Sequence, residues 1–155
     1  MDAFWRGPPL MNSSVGQQNS SWALVFACWL LACVSMLGSL FFSEVMGYTP
    51  CILCWYQRIC MYPLVLILPV GMLPFDRNVV RYALPFSVVG TLVAGFHMLL
   101  VGGYIPENMK PCTQGVPCAE VNINWFGFVT IPLLSALAFL LITALLILAY
   151  RRSST

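Results

Sequence analysis

Charge is what this chain has least of. Its 155 residues carry 7 Lys or Arg, 5 Asp or Glu and a single His, so 8% of the chain is charged, against roughly 25% in a soluble domain. So few charges cannot solvate the surface of a water-soluble fold of this length, and a bilayer is the solvent that fits. The net charge is only +2 and no basic run is present, which leaves nothing to hold nucleic acid. A small secreted disulfide scaffold is also excluded, because three of the 7 cysteines, Cys28, Cys33 and Cys60, lie inside apolar runs. No internal repeat is convincing. The sequence predicts no cleaved signal peptide: the apolar run starts only at Trp22 and is then too long for a signal h-region.

What is present is apolar surface, 60% of the residues. Lipid offers no partner to an open backbone group, so spans must be helices or closed barrels. Four apolar stretches predict an all-α membrane protein, a four-transmembrane-helix bundle with spans at about 22–42, 54–73, 82–104 and 125–150. The first would cover ~31 Å at 1.5 Å per residue. Residues 1–21 are polar and hold Pro8-Pro9, and they are expected to form a disordered tail. Residues 22–152 form one domain, and 153–155 a short C-terminal tail. Pro63 and Pro69 predict kinks in the second span.

Four spans put both termini on one side. Arg6, Arg77, Arg81, Arg151 and Arg152 fall with the termini and the central connector, while only Lys110 falls clearly opposite. The excess predicts cytoplasmic termini. The connectors holding Cys51, Cys54, Cys112 and Cys118 then face outward, in the compartment where disulfides persist.

Cys51-Ile52-Leu53-Cys54 places two thiols at the mouth of the second span. A helix start near Cys54 would put that sulfur in the positive field of a helix N-terminus, where a thiolate is stabilised. Arg58 lies four residues on, one turn deeper on the same face, and adds a permanent positive charge. Other readings stay open on these residues alone. The pair could be half of a structural zinc site, taking further ligands from Cys112, Cys118 or His97, or a static disulfide. A cation as close as Arg58 speaks against a metal, although an arginine there can also simply snorkel to headgroups. Cys112 and Cys118 enclose five residues with Gly115 and Pro117, in a loop able to turn back on itself. That loop suits attack by another protein's thiolate; a structural disulfide is the alternative, and a second pair on the same side weighs against it. His97, the only histidine, is placed ~10 Å below the outer end of the third span and Arg58 ~6 Å below that of the second. Both therefore fall in the outer leaflet, where they could face one pocket and donate to a small lipid-soluble carbonyl compound; intramembrane ionisable groups are functional candidates by default. Cys28, Cys33 and Cys60 read as small hydrophobes and are left out of the site.

The motif Pro50-Cys51-Ile52-Leu53-Cys54-Trp55-Tyr56-Gln57-Arg58, four spans, and the segment Pro111-Cys112-Thr113-Gln114-Gly115-Val116-Pro117-Cys118 ahead of Ile123-Asn124-Trp125-Phe126-Gly127-Phe128 together resemble the DsbB family of disulfide-forming membrane oxidoreductases. The compact second loop resembles its BdbC branch. The resemblance covers roughly residues 22–151. It implies that Cys112–Cys118 oxidises a thioredoxin-fold thiol oxidase through a mixed disulfide, with Cys112 the sulfur attacked. It further implies that Cys51–Cys54 reoxidises that pair and passes two electrons to a membrane quinone, ubiquinone or menaquinone, held near Arg58 and His97. The second loop is much shorter than in proteobacterial members, so partner recognition is expected to differ. A quinone also makes sense on general grounds, because thiol–disulfide exchange only moves a disulfide and net oxidation needs an electron sink. Two other classes compete: an enzyme similar to the vitamin K epoxide reductases, disfavoured because there the helix-mouth pair belongs to the last core span, and a non-enzymatic membrane protein with structural cysteines.

Overall fold

A computed structural model describes residues 12–73, 76, 78–105 and 130–154. The described chain is helical. Helix α1 (Asn12–Leu40) runs on through one wider π-helical turn, Phe41–Val45; α2 spans Ile52–Val70, α3 Asn78–Val101 and α4 Ile131–Ser154. Each contains a stretch long and apolar enough to cross a membrane. The four expected spans are therefore present, shifted at their ends. Residues 125–129 of the expected fourth span lie outside the described residues.

Helix α1 starts inside the stretch expected to be disordered, so residues 12–21 are helical. No proline interrupts the chain between Pro9 and Pro50, and polar residues alone do not stop a helix that a long apolar segment already nucleates. The π turn carries the coil past Ser43 and Glu44, so the first span runs beyond its expected end near residue 42 and the connector to α2 is confined to the residues after Val45. Gly47, at φ 70°, supplies the left-handed residue that turns the chain towards α2.

The helices pack in cyclic order, α1 on α2, α2 on α3, α3 on α4 and α4 on α1. One buried residue per turn from each helix builds the core: Val25, Cys28 and Ala32 from α1, Leu64 and Leu68 from α2, Ala83, Ser87, Gly90 and Ala94 from α3, and Phe139, Ile142 and Leu146 from α4. That spacing of three and four residues is the stripe a helix must bury. The large apolar side chains on the other faces, Val34, Leu66, Val70 and Leu92 among them, point outward, as a lipid-facing surface requires. Of the four apolar windows, that of α2 is the most enclosed, 39% buried against 17% in α1. The helix that opens with the cysteine pair is therefore the one the bundle wraps most fully.

Side chains tie the helices at depth. The Trp29 indole donates to the Val65 carbonyl at 3.2 Å, and the Thr91 and Thr143 hydroxyls meet at 3.1 Å. Cys28 donates to the Ile142 carbonyl within the core, which accounts for it as a packing residue. At the bundle end opposite Cys51 and Cys54, Arg152 donates to the Ser20 hydroxyl and Arg81 lies over the Tyr150 ring. Arg81, Arg151 and Arg152 thus gather at that end.

The α3–α4 contact depends on Gly90. A Cβ added there would run into the Phe139 ring, itself 1% exposed. Gly90→Ala is expected to destabilise the fold by ~1–3 kcal/mol through overpacking. Gly95→Ala, on the same helix with open space around it, should be neutral or slightly stabilising. Detergent melts of the two variants check this; equal melting temperatures would refute the packing argument.

Candidate redox site at the mouth of the second helix

Pro50 holds the preceding chain extended, and the helix begins two residues after the proline, at Ile52. Cys51 is therefore the N-cap, at φ −69° and ψ 169°, with the Cys54 amide donating to its Sγ at 3.4 Å. A cap normally uses a hydroxyl or carboxylate oxygen for this purpose; here a sulfur takes the place. The same turn brings Cys54 back over the cap, with the two sulfurs 2.9 Å apart. The pair stands as two thiols rather than as a disulfide.

The sulfur stabilised by the helix start is thus Cys51, not Cys54 as the sequence reading had it. The reason is the helix boundary: α2 starts at Ile52, two residues before Cys54. Cys51 is 2% exposed and packs with Leu53 and Leu100, against Val93 and Ile105. Ile105 is the last described residue before the connector that carries Cys112 and Cys118. Those two cysteines lie outside the described residues.

Three groups act on Cys51. The Cys54 thiol donates to it and holds its pKa well below the ordinary 9.0, down to about 4; burial opposes this, and His97 assists. His97 Nε2 lies 3.9 Å from Cys51 Sγ, while Gln57 Nε2 lies 3.3 Å from His97 Nδ1. With the Gln57 amide donating to Nδ1, the ring proton sits on Nε2 and points at Cys51. Gln57 and His97 are both buried.

This shift has a measurable consequence. In reduced protein with Cys112 and Cys118 replaced by serine, one thiolate should persist on acidification until about pH 4. Cys54→Ala should move that midpoint up towards 9.0, and His97→Ala should move it up by less. Because the folded pKa is the lower one, the thiolate stabilises the reduced fold fully above 9.0, and this contribution is lost as the pH falls towards about 4. Ultraviolet thiolate absorbance against pH reads the midpoint; a midpoint near 9 in the parent protein would refute the assignment.

Beside the pair lies a cavity of about 320 Å³. Its walls come from α1, the connector before α2, α2 and the start of α4. Most of the lining is apolar, with Val34, Phe42, Met61, Leu134 and Phe139; Cys54, Gln57 and Arg58 form a polar wall. Arg58 is 8% exposed. Its Nε donates to Ser39 Oγ and its Nη2 to the Ser39 carbonyl, both at 2.9 Å, and its guanidinium carbon lies 5.4 Å from the Trp55 ring centre. Among the described residues no group accepts from Nη1.

The helical spacing placed Cys54 and Arg58 on one face correctly, since both line the cavity. His97 is placed differently from the shared pocket expected with Arg58. It is not in the cavity lining and stands behind that wall, against Gln57 and with a ring nitrogen within 4.8 Å of Cys54 Sγ. It faces the back of Cys51 instead. Two residues were missed from the sequence, Ser39 and Gln57. The available signal was a polar side chain within a span and close to an intramembrane arginine.

A bundle of four membrane-spanning helices, one of them capped by a hydrogen-bonded dithiol that borders an arginine-walled apolar cavity, defines a membrane protein of the thiol–disulfide redox class. The chain belongs to the DsbB family: the family model described as "Disulfide bond formation protein DsbB" matches residues 19–149. Among curated proteins, the chain is 49% identical over 120 residues to "Disulfide bond formation protein C" of Bacillus subtilis (strain 168), covering 76% of this chain and 86% of that relative. It is 44% identical over 135 residues to "Probable disulfide formation protein" of Metapseudomonas resinovorans, covering 86% and 94%. It is 50% identical over 119 residues to "Probable disulfide formation protein C" of Halalkalibacterium halodurans, covering 77% and 87%. No solved structure matches. The family makes this chain a membrane disulfide oxidoreductase.

Proposed function

We propose that the protein is a quinone-linked oxidase of the cell membrane, which reoxidises an extracytoplasmic thioredoxin-fold thiol oxidase and so supports disulfide formation in exported proteins. The observation that carries this reading is the division of labour between the two sulfurs. Cys51 is a buried, capped thiolate packed beside the end of α3, while Cys54 lines the apolar cavity with Arg58. One sulfur is therefore turned towards the end of α3, from which the chain runs on to the second cysteine pair, and the other towards a cavity fit for a lipid-soluble ligand. Arg81, Arg151 and Arg152 at the opposite end support cytoplasmic termini, with the site on the outer side.

A quinone headgroup fits the residues present. The cavity is within the usual range of about 300–1,000 Å³ for small-molecule sites, and like those it is mainly apolar with a few convergent polar groups. Arg58 is already fixed by Ser39 and keeps Nη1 for a carbonyl oxygen. When bound, a quinone supplies the electron sink, taking up two electrons and two protons. The chain does the rest. Cys112–Cys118 would take two electrons from the partner's dithiol through a mixed disulfide. The resulting thiols would then reduce the Cys51–Cys54 disulfide, freeing a dithiol. One loop thiolate would attack Cys51 Sγ and release Cys54 beside the cavity; when the second loop thiol resolves that mixed disulfide, Cys51 leaves readily because the freed Cys54 thiol, the Cys54 amide and His97 all stabilise its anion. Arg58 orients the ligand beside Cys54, and the apolar walls exclude water.

Protein purified in detergent tests this. It is expected to oxidise a reduced thioredoxin-fold protein only when quinone is supplied. Turnover without quinone by a variant lacking all four thiols would sink the reading.

A further inference from the structure

The cluster at the helix mouth has a property that electron relay does not use. Cys51 Sγ, Cys54 Sγ and one ring nitrogen of His97 all lie within 4.8 Å of one another. Two of the edges are 2.9 Å between the sulfurs and 3.9 Å from Cys51 to His97 Nε2. A tetrahedral zinc-type ion, with bonds of about 2.3 Å to sulfur and about 2.0–2.1 Å to nitrogen, needs ligand separations of roughly 3.8 and 3.6 Å. The sulfurs must therefore part by a little under 1 Å, which a turn of the Cys54 side chain towards the cavity provides.

We propose that in the dithiol state Cys51, Cys54 and His97 form a three-ligand site for a thiophilic d10 cation such as zinc, open on its fourth side, and that metal and the Cys51–Cys54 disulfide are mutually exclusive occupants. Both sulfurs bind as thiolates, any thiol proton leaves to solvent, and no electron moves. When the sulfurs bond to each other the site ceases to exist, because a disulfide has no thiolate to offer. The metal is accordingly an inhibitor that captures only the reduced enzyme.

Three features favour this over a chance cluster. The ligands include two soft thiolates and an imidazole, the donor set that selects zinc-like ions. Gln57 stands on the other ring nitrogen of His97; turning its amide presents an oxygen to an Nδ1 proton, the usual support of a metal-bound histidine. Finally, Arg58 is no obstacle. Two thiolates and a divalent ion sum to zero charge, and the guanidinium is held by Ser39 and Trp55. Arg58 is thus not a bare charge facing a bare ion, as its place in the sequence alone suggests.

The proposal stands independently of the quinone, so the test uses quinone-free protein. Full-length protein with Cys112→Ser and Cys118→Ser is reduced under anaerobic conditions and titrated with Cd²⁺ alone, reading the cadmium–thiolate absorption band. One ion per chain is expected. Adding Cys51→Ser should abolish binding, and adding His97→Ala should weaken it by at least ~10-fold, as loss of even a supporting residue does in metal sites. A second measurement needs no change at the site: bound Cd²⁺ should block closure of the Cys51–Cys54 disulfide by a thiol oxidant, and protein already oxidised should bind none. Absence of the one-to-one band, undiminished affinity without His97, or equal binding by the oxidised protein would each overturn the proposal.

Discussion

Cys54→Ser is expected to reduce quinone-dependent oxidation of a thioredoxin-fold substrate to the rate measured without the enzyme. Cys54 is the cysteine of the described pair that reaches the cavity, and it is the donor that most lowers the Cys51 pKa. A serine hydroxyl can still donate to Cys51, but it cannot form the disulfide that carries two electrons. The fold should survive, since Cys54 is only partly buried and the cap depends on the Cys54 backbone amide rather than its side chain. Cys51 stays behind as a lone thiol able to form a mixed disulfide but unable to complete the cycle. Steady-state turnover, read beside the helical content of the variant, checks this. Residual turnover above a tenth of the parent rate in a folded variant would show that electrons leave by a route that avoids Cys54.

The second large effect is expected from Arg58→Met. Methionine keeps the length and packing of the side chain and removes every donor. Hydrogen bonds to charged groups are worth about 1.5–3 kcal/mol, so the KM for quinone should rise by ~10–100-fold, at 1.4 kcal/mol per tenfold. The rate at saturating quinone should fall less, because the cysteine pair and His97 are untouched. Arg58→Lys should land between the two: it keeps a charge near the cavity but cannot donate to both Ser39 oxygens and a ligand in a fixed plane. An unchanged KM in the methionine variant would remove Arg58 from the binding site and leave it a structural residue bound to Ser39.

Both effects start from a motif that the sequence displays openly. The Cys51–Cys54 pair, the placement of Arg58 one turn beyond it and the four apolar spans follow from the spacing of residues, because helix geometry converts spacing into shared faces. Position along a span was legible in the same way: His97 lies level with Gln57, the residue before Arg58. Its direction was not legible. Rotation about a helix axis and the lateral order of helices depend on which faces pack. Helices α3 and α4 are apolar on nearly every face, so the sequence carries little signal for them. Arg58 and His97 therefore share a depth without sharing a cavity.

Ser39 shows the same limit from the other side. It sits in an apolar run with only its hydroxyl to mark it, and its role becomes visible once α1 packs on α2 and both Ser39 oxygens meet the guanidinium. The thiolate assignment turned on a smaller matter, two residues in the start of α2. Propensity does not fix helix ends to that precision, yet the shift moved the favoured anion from Cys54 to Cys51.

The sequence by itself determined the solvent, the number of spans, the redox chemistry and the family, because each depends on composition or on local spacing along one chain. Only the tertiary structure decided which sulfur meets the cavity, and that His97 serves Cys51 through a proton fixed by Gln57. Those facts depend on contacts between α2 and its neighbours, and such contacts exist only after the helices have chosen the faces on which they meet.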